Sequence, residues 1–270
     1  NNLMGAAAAA ASASTDFYSY QIDNSCRFDG SGYMTRTFSG DRRTWTFSTW
    51  IKRGNIETGT AEYTLNAYNG SGADGFIITT ADKWDTDSSS GGSGLTANWV
   101  CRDPSAWYHV VWRMDTTQST EANRERIYVN GTEVTYSSSS YPSLNANTNE
   151  INNSSHEIGR SDYSNDKFFQ GYLADTIFID GTSYGPDSFG ETKNGVWIPK
   201  DPSGLTFGDT GFWLNYASSS DLGNDVSGNN NDWTTSNLSA HDQMLDTPTF
   251  NSSSNGGNFA TLGGLEKNSG

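Results

Sequence analysis

Apolar side chains in this chain come in short runs that alternate with polar ones, and no long stretch keeps the 3.6-residue period of an amphipathic helix. Residues 44–53, TWTFSTWIKR, put Trp45, Phe47 and Ile51 on one face and Trp50 on the other, the pattern of a central strand covered on both sides. Residues 124–134, RERIYVNGTEV, alternate about Asn130-Gly131. Both central residues of a type I′ turn take positive φ, so this pair predicts a β-hairpin. In 171–180, GYLADTIFID, simple alternation assigns Leu173, Asp175, Ile177 and Ile179 to one face.

The same reading supplies the remaining strands. SCRF (25–28) and YMTR (33–36) flank DGSG and are expected to pair with each other. Tyr63–Tyr68 and Phe76–Thr80 surround the turn NGSGADG, and Leu95–Cys101 leads through RDPS to Ala106–Asp115. Further strands fall near 156–160 and 170–180, while 85–94 (DTDSSSGGSG) and the nearly uncharged 137–153 read as loops. A strand every 8–12 residues or so predicts an all-β, antiparallel two-sheet jelly-roll sandwich.

Three regions follow: an Ala-rich N-terminal arm over 1–20, the sandwich over 21–184, and a turn-rich extension over 185–270. The extension carries four of the six prolines, and its segment Gly211–Trp233 reads as the opening of a second β-domain. The opening NNLMGAAAAAASAST lacks the basic leader and Leu-rich middle of a secretory signal. Alanine alone does not hold so short a helix in water, so the arm is expected to order only by docking on a partner.

Composition agrees with β structure. Aromatic residues make up 13% of the chain, nine of them Trp, enough for a large core, whereas only 33% of residues are hydrophobic. Sixteen basic against 31 acidic residues give a net charge of −15, which argues against a nucleic-acid backbone as partner. The dispersed acid serves either solubility in salt or carboxylate sites for divalent cations. Cys26 and Cys101 are expected as buried thiols, with a single bridge as the alternative. No apolar run reaches the ~18 residues of a membrane span, so no membrane insertion is expected.

TWTFSTWIKR, then AWYHVVWRMD leading into RIYVNG, then GYLADTIFIDG resemble, in order and spacing, the laminin-G-like (concanavalin A-like lectin/glucanase) sandwiches over about residues 22–182. The Ala-rich start and the segments GVWIPK, GFWLNY, DVSGNNNDW and DQMLDTPT are similar to virion proteins of marine tailed bacteriophages. That resemblance implies a virion protein, assembled in the host cytoplasm, whose partners are other virion proteins and host-surface glycans. It also implies a homo-oligomer, a trimer by analogy.

An enzyme on this fold would be a laminarinase-like glycosidase, which needs two carboxylates on one strand face. The E-x-D-x-x-E run of that family is absent, and Asp175 and Asp180, five apart, project to opposite faces. His109 in AWYHVVW reads as a core histidine, and neither His156 nor His241 has a Ser or Cys partner in sequence. Related sandwiches often hold calcium. Asp225, Asn229 and Asp232 supply closely spaced oxygens for it, as do Asp82, Asp85 and Asp87, although both sets also suit turns. For sugar stacking, Tyr63, Tyr68 and Trp84 beside the Gly/Ser loop are the candidates, with core packing as the alternative. The leading expectation is a non-enzymatic phage structural protein, either capsid decoration or tail fibre. A carbohydrate-binding receptor-recognition module comes second, and a polysaccharide-cleaving hydrolase third.

Overall fold

The computed structural model describes residues 17–56, 59–70, 72–88, 94–148, 151–164 and 167–249. The Ala-rich stretch 1–16 and the tail 251–270 lie outside them. Alternation of aromatic and β-branched residues with polar ones yields β1 (Ser25–Asp29), β2 (Tyr33–Thr37), β3 (Thr44–Arg53), β4 (Glu62–Tyr68), β5 (Ala73–Ile78) and β6 (Lys83–Ser88). Next come β7 (Gly94–Val100), β8 (Trp107–Asp115), β9 (Glu125–Val129), β10 (Thr132–Glu133), β11 (Tyr136–Ser140), β12 (Ser155–Ile158) and β13 (Gln170–Asp180). The extension adds β14 (Gly190–Lys193), β15 (Val196–Pro199), β16 (Phe212–Leu214), β17 (Thr234–Ser236) and β18 (Gln243–Met244).

Two antiparallel sheets stack face to face. The first runs β10-β9-β8-β3-β13-β1-β18, with β16 also on β13; the second runs β11-β7-β6-β5-β4-β12-β2-β17. Between them lie Trp45, Phe47, Phe76, Trp84, Trp112 and Phe178, all buried. Trp45 meets Trp112 edge to face at 4.5 Å. As expected for a central strand, β3 is buried almost throughout, with Trp45, Phe47 and Ile51 facing the second sheet and Trp50 the other way.

Several expectations change, among them the loop assigned to 85–94, whose first four residues lie in β6. β1 and β2 do not pair: β1 lies in the first sheet beside β13 and β18, and β2 in the second beside β12 and β17. Their link DGSG crosses between the layers, which puts Phe28 and Met34 in the common core. The single face assigned to 173–179 is broken by a bulge. Asp175 adopts φ 43° and the β13–β3 register shifts between Ala174 and Ile177. Leu173 and Phe178 therefore face the core, while Ile177 and Ile179 face outward. Residues 136–140, largely read as loop, form an edge strand on β7.

The described part of the extension, to residue 249, folds with the sandwich. β16, β17 and β18 pair with β13, β2 and β1, completing both sheets. Its apolar residues also cover the outer face of the first sheet, where Phe189, Phe207, Leu205 and Trp213 close over Val111, Tyr128, Ile177 and Ile179. That face is too apolar to be left in water, so the polar-looking extension folds onto it.

Candidate functional site

The three aromatic residues expected to stack on sugars do not share a surface. Trp84 is fully buried between the sheets, parallel to Phe76 at 5.7 Å. Tyr63 is buried on the outer side of β4, under the Lys167 ammonium at 5.5 Å and so close to Gly75 that a Cβ there would come within 2.8 Å of the ring. Only Tyr68 reaches the surface in part, its ring meeting the exposed Tyr163 edge-on at 5.5 Å. Strand alternation decides this: the indole at 84 points the same way as Phe76, into the core.

The oxygens of 225–232 fold their own loop. Asp225 Oδ1 accepts from the backbone N–H of Trp213 and Ser227, and Oδ2 from the Ser227 hydroxyl and the Asn231 N–H. Asp232 Oδ1 accepts from the Asp225 N–H, and the Asn229 amide donates to the carbonyls of Gly208 and Gly211. Donors take both Asp225 oxygens and one of Asp232, and the Asn229 amide is turned to carbonyls, so the arrangement does not fit that ion. Asp82 is likewise committed: Oδ1 to Arg53 at 2.5 Å and Oδ2 to Arg102 at 2.7 Å, with Arg53 also bound to Glu62 at 2.9 Å. Among the described residues no three His, Cys, Asp or Glu side chains converge as metal ligands.

The perturbed ionisable groups are scattered and enclosed. His109 contacts Ser48 Oγ through Nε2 at 2.9 Å, and its Nδ1 accepts from the Trp197 indole N–H at 3.1 Å. With Nδ1 accepting, the proton sits on Nε2 and donates to Ser48, the reverse of a base activating a hydroxyl. Burial pushes the imidazole down to about 3. His156 is fixed the other way round, with Nδ1 toward the Ser154 carbonyl and Nε2 accepting the Asn152 N–H. Burial raises Glu125 to about 7, where it accepts from the Trp112 indole, and raises Asp175 to about 6, where it accepts from the Trp213 indole. Asp180 is tied to Asn152 and the Asp41 N–H at the sheet margin, so the two aspartates of β13 serve separate networks. Both cysteines are free and buried, and burial raises both thiols, Cys101 to about 12.

A different aromatic residue is presented to solvent. Trp99 is 39% exposed at the end of β7, its ring edge-on to Tyr108 at 5.3 Å. It forms one wall of a cleft of ≈ 290 Å³, whose other wall is Val129, Asn130, Thr132, Glu133, Val134 and Thr135. The cleft lies where the chain leaves β10 in the first sheet and enters β11 in the second, and the Asn98 N–H bonds the Thr135 carbonyl to hold the crossing. The Asn130-Gly131 turn has φ of 48° and 79°, as its sequence predicts. It is fixed from two sides. Asn130 Oδ1 accepts the His109 N–H at 2.8 Å, and Trp197 packs so close to Gly131 that a Cβ there would overlap its ring. Sequence reasoning passed over Trp99 because alternation places it on a strand like the core tryptophans. Its polar neighbours Asn98 and Thr135, and the hairpin sequence nearby, were the available signal.

An indole face beside hydroxyls and an amide can pack against the C–H side of a pyranose while accepting and donating hydrogen bonds to its rim. The enclosed acids and histidines offer no pair of carboxyls across an open bond-breaking site.

A sequence profile described as the concanavalin A-like lectin/glucanases superfamily, of laminin G type, matches residues 28–183. Among solved structures, a Bacteroides ovatus protein whose description proposes carbohydrate binding superposes with TM-score 0.57 at 15% identity. That match covers 82% of this chain and 60% of the other, so the chain spans less than two thirds of that protein. A SAP-like pentraxin from Limulus polyphemus gives TM-score 0.46 at 12% identity, covering 60% and 78% of the two chains. Domains LG4-5 of the mouse laminin alpha1 chain give 0.45 at 15%, covering 59% and 43%. At such identities the likeness is one of fold. No curated protein matches the chain.

Proposed function

The chain belongs to the concanavalin A-like lectin/glucanase superfamily, and we propose that it is a non-catalytic, lectin-like module that binds glycan in the Trp99 cleft. The observation that carries this reading is the exposed indole of Trp99 facing Val129 and Thr132 across a preformed cleft. A hairpin locked by Asn130 and Trp197 holds the cleft wall in place and lowers the ordering cost of binding. The absence of converging acids among the described groups supports a binding role over hydrolysis. The test is a glycan array with the whole chain and with Trp99→Ala. Binding that the substitution removes, while the far-ultraviolet spectrum stays the same, supports the reading; equal binding by both proteins refutes it.

The sequence likeness of the Ala-rich start, GVWIPK, GFWLNY, DVSGNNNDW and DQMLDTPT to phage virion proteins favours a setting for this module. In that setting it is a structural protein of a tailed phage, a decoration or fibre subunit assembled in the host cytoplasm. It is homo-oligomeric, contacts other virion proteins, and offers its cleft to host-surface glycans. Immunogold labelling of virions with antibody to this chain tests it; unlabelled particles would rule out the virion setting and leave the glycan site standing.

A further inference from the structure

At the C-terminal end of β3, four charged side chains run in a row from the core to the surface. Glu62 on β4 pairs with Arg53 at 2.9 Å, Arg53 with Asp82 Oδ1 at 2.5 Å, and Asp82 Oδ2 with Nε of Arg102 at 2.7 Å. The first three are almost wholly enclosed, whereas the Arg102 side chain is 66% exposed. The backbone around them is pinned. The Cys101 N–H donates to the Asp82 carbonyl and the Asp82 N–H to that of Thr79, while Arg53 Nη1 also donates to the Cys101 carbonyl. Two enclosed acids are thus matched by two guanidiniums, and the outermost member is a cation.

Arg102 and Asp82 line a hollow of ≈ 590 Å³ together with Ile56 and Thr80, none of which belongs to the Trp99 cleft. Asp82 carries a guanidinium on each oxygen, and the carboxylate of Asp103, next in sequence to Arg102, accepts from the Ser105 N–H and hydroxyl. Both acids near Arg102 are therefore committed. Its Nη1 and Nη2 make no hydrogen bond among the described residues. The Nε bond fixes the plane of the guanidinium and leaves these two nitrogens as a rigid fork.

We propose that this hollow is a second binding site, which takes the carboxylate of an acidic sugar, a uronic acid, on the Arg102 fork. A carboxylate offers two oxygens in one plane, and such charge-assisted pairs are roughly twice as strong as neutral hydrogen bonds. Thr80 supplies a hydroxyl and Ile56 an apolar surface on the same walls, the other two features that a pyranose ring requires. A neutral sugar leaves the fork unmet. The network behind Arg102 holds it in place beforehand and so lowers the ordering cost of binding. The net charge of −15 opposes any anion at long range, but at physiological salt that field is screened beyond about 8 Å, and the contact at Arg102 much less so.

The experiment titrates the full chain with glucuronic and galacturonic acid, beside glucose and galactose, at physiological salt, with binding read by saturation-transfer NMR. Each acid should bind about tenfold or more tightly than its neutral parent. Arg102→Gln should remove that preference. Arg102→Lys should keep part of it, because the charge stays and the fork is lost, and Trp99→Ala should leave it unchanged. Arg53 keeps Asp82 paired in both Arg102 variants, so they stay folded. Binding of neither acid, equal binding of acid and parent, or a preference that survives in Arg102→Gln overturns the site. An acidic peptide bound with the same Arg102 dependence, where the uronic acids are not, overturns the sugar as ligand. None of these results touches the glycan reading of the Trp99 cleft, which its own substitution tests.

Discussion

The Trp197 indole donates to His109 Nδ1 at 3.1 Å, and through that bond a residue of the C-terminal extension determines which nitrogen of a β8 histidine carries the proton. The same indole packs under Gly131, so it supports the hairpin that walls the Trp99 cleft. The extension is thus tied both to the buried polar pair Ser48–His109 and to the surface proposed to bind glycan.

Trp197→Phe keeps the ring and removes the donor. It should destabilise the fold by about 1–3 kcal/mol through the buried acceptor left unmet. Nitrogen-15 imidazole shifts should show an Nε2–H tautomer for His109 in the native chain. They should also show no protonation down to about pH 4, because burial lowers this group to about 3. The stability it contributes is complete above its unfolded value near 6.5 and is lost as pH falls through about 3. Titration of His109 near 6.5 in the folded protein would contradict the geometry.

Glu125 works in the opposite direction. Burial raises it from an ordinary 4.5 to about 7, so it is protonated in the fold where the unfolded chain has lost the proton. Its stabilising contribution is full below 4.5 and is lost as pH rises through about 7. Glu125→Gln cannot titrate, so the difference in unfolding free energy between variant and native chain should climb by about 3 kcal/mol from pH 4 to pH 8 and then level off. Urea melts at several pH values measure it, and a pH-independent difference would show that the acid is ionised in the fold.

Two arginine pairs should behave differently. Arg53 is buried between Glu62 and Asp82 and joins β3 of one sheet to β4 and the β5–β6 turn of the other. Arg53→Met strips the buried Glu62 of its counter-ion and leaves Asp82 to Arg102 alone, and should cost about 3–5 kcal/mol. Arg126→Ala breaks the solvent-facing pair with Glu133 and surface hydrogen bonds to Ala122, Asn123 and Tyr128, and should cost about 1 kcal/mol. Similar melting temperatures for the two variants would mean that the Arg53 cluster is hydrated.

Trp84 and Trp99 form the clearest contrast. Trp84→Ala empties a fully buried site against Phe76 and should cost about 3–5 kcal/mol. Trp99→Ala should cost about 1 kcal/mol, mostly its edge contact with Tyr108, yet remove glycan binding. Chemical denaturation read beside the array separates the two effects. Loss of binding by Trp84→Ala in its folded fraction, with Trp99→Ala unaffected, would move the site away from the Trp99 cleft.

Alternation in TWTFSTWIKR and the Asn130-Gly131 pair specified β3 and the hairpin down to single residues, because period-two burial and positive φ are local demands of the backbone. The absence of a hydrolase carboxylate run was legible for the same reason. What failed locally was the parity of β13. Nothing in ADTIF announces the left-handed Asp175 that swaps the faces of Ile177 and Ile179. Tyr63, Tyr68 and Trp84 cluster in sequence, but which side of a strand meets the other sheet depends on pairings that sequence spacing does not encode.

The chain's own order of residues determined that it is a two-layer β-sandwich with an aromatic core and a type I′ hairpin. Tertiary structure alone decided that DGSG crosses between layers, that the extension closes the outer face of the first sheet, and that Trp99 faces a cleft. The physical reason is separation along the chain. Strand patterning is set by neighbours two residues apart, whereas burial of the extension and exposure of Trp99 depend on which remote apolar surfaces remain uncovered once both sheets have formed.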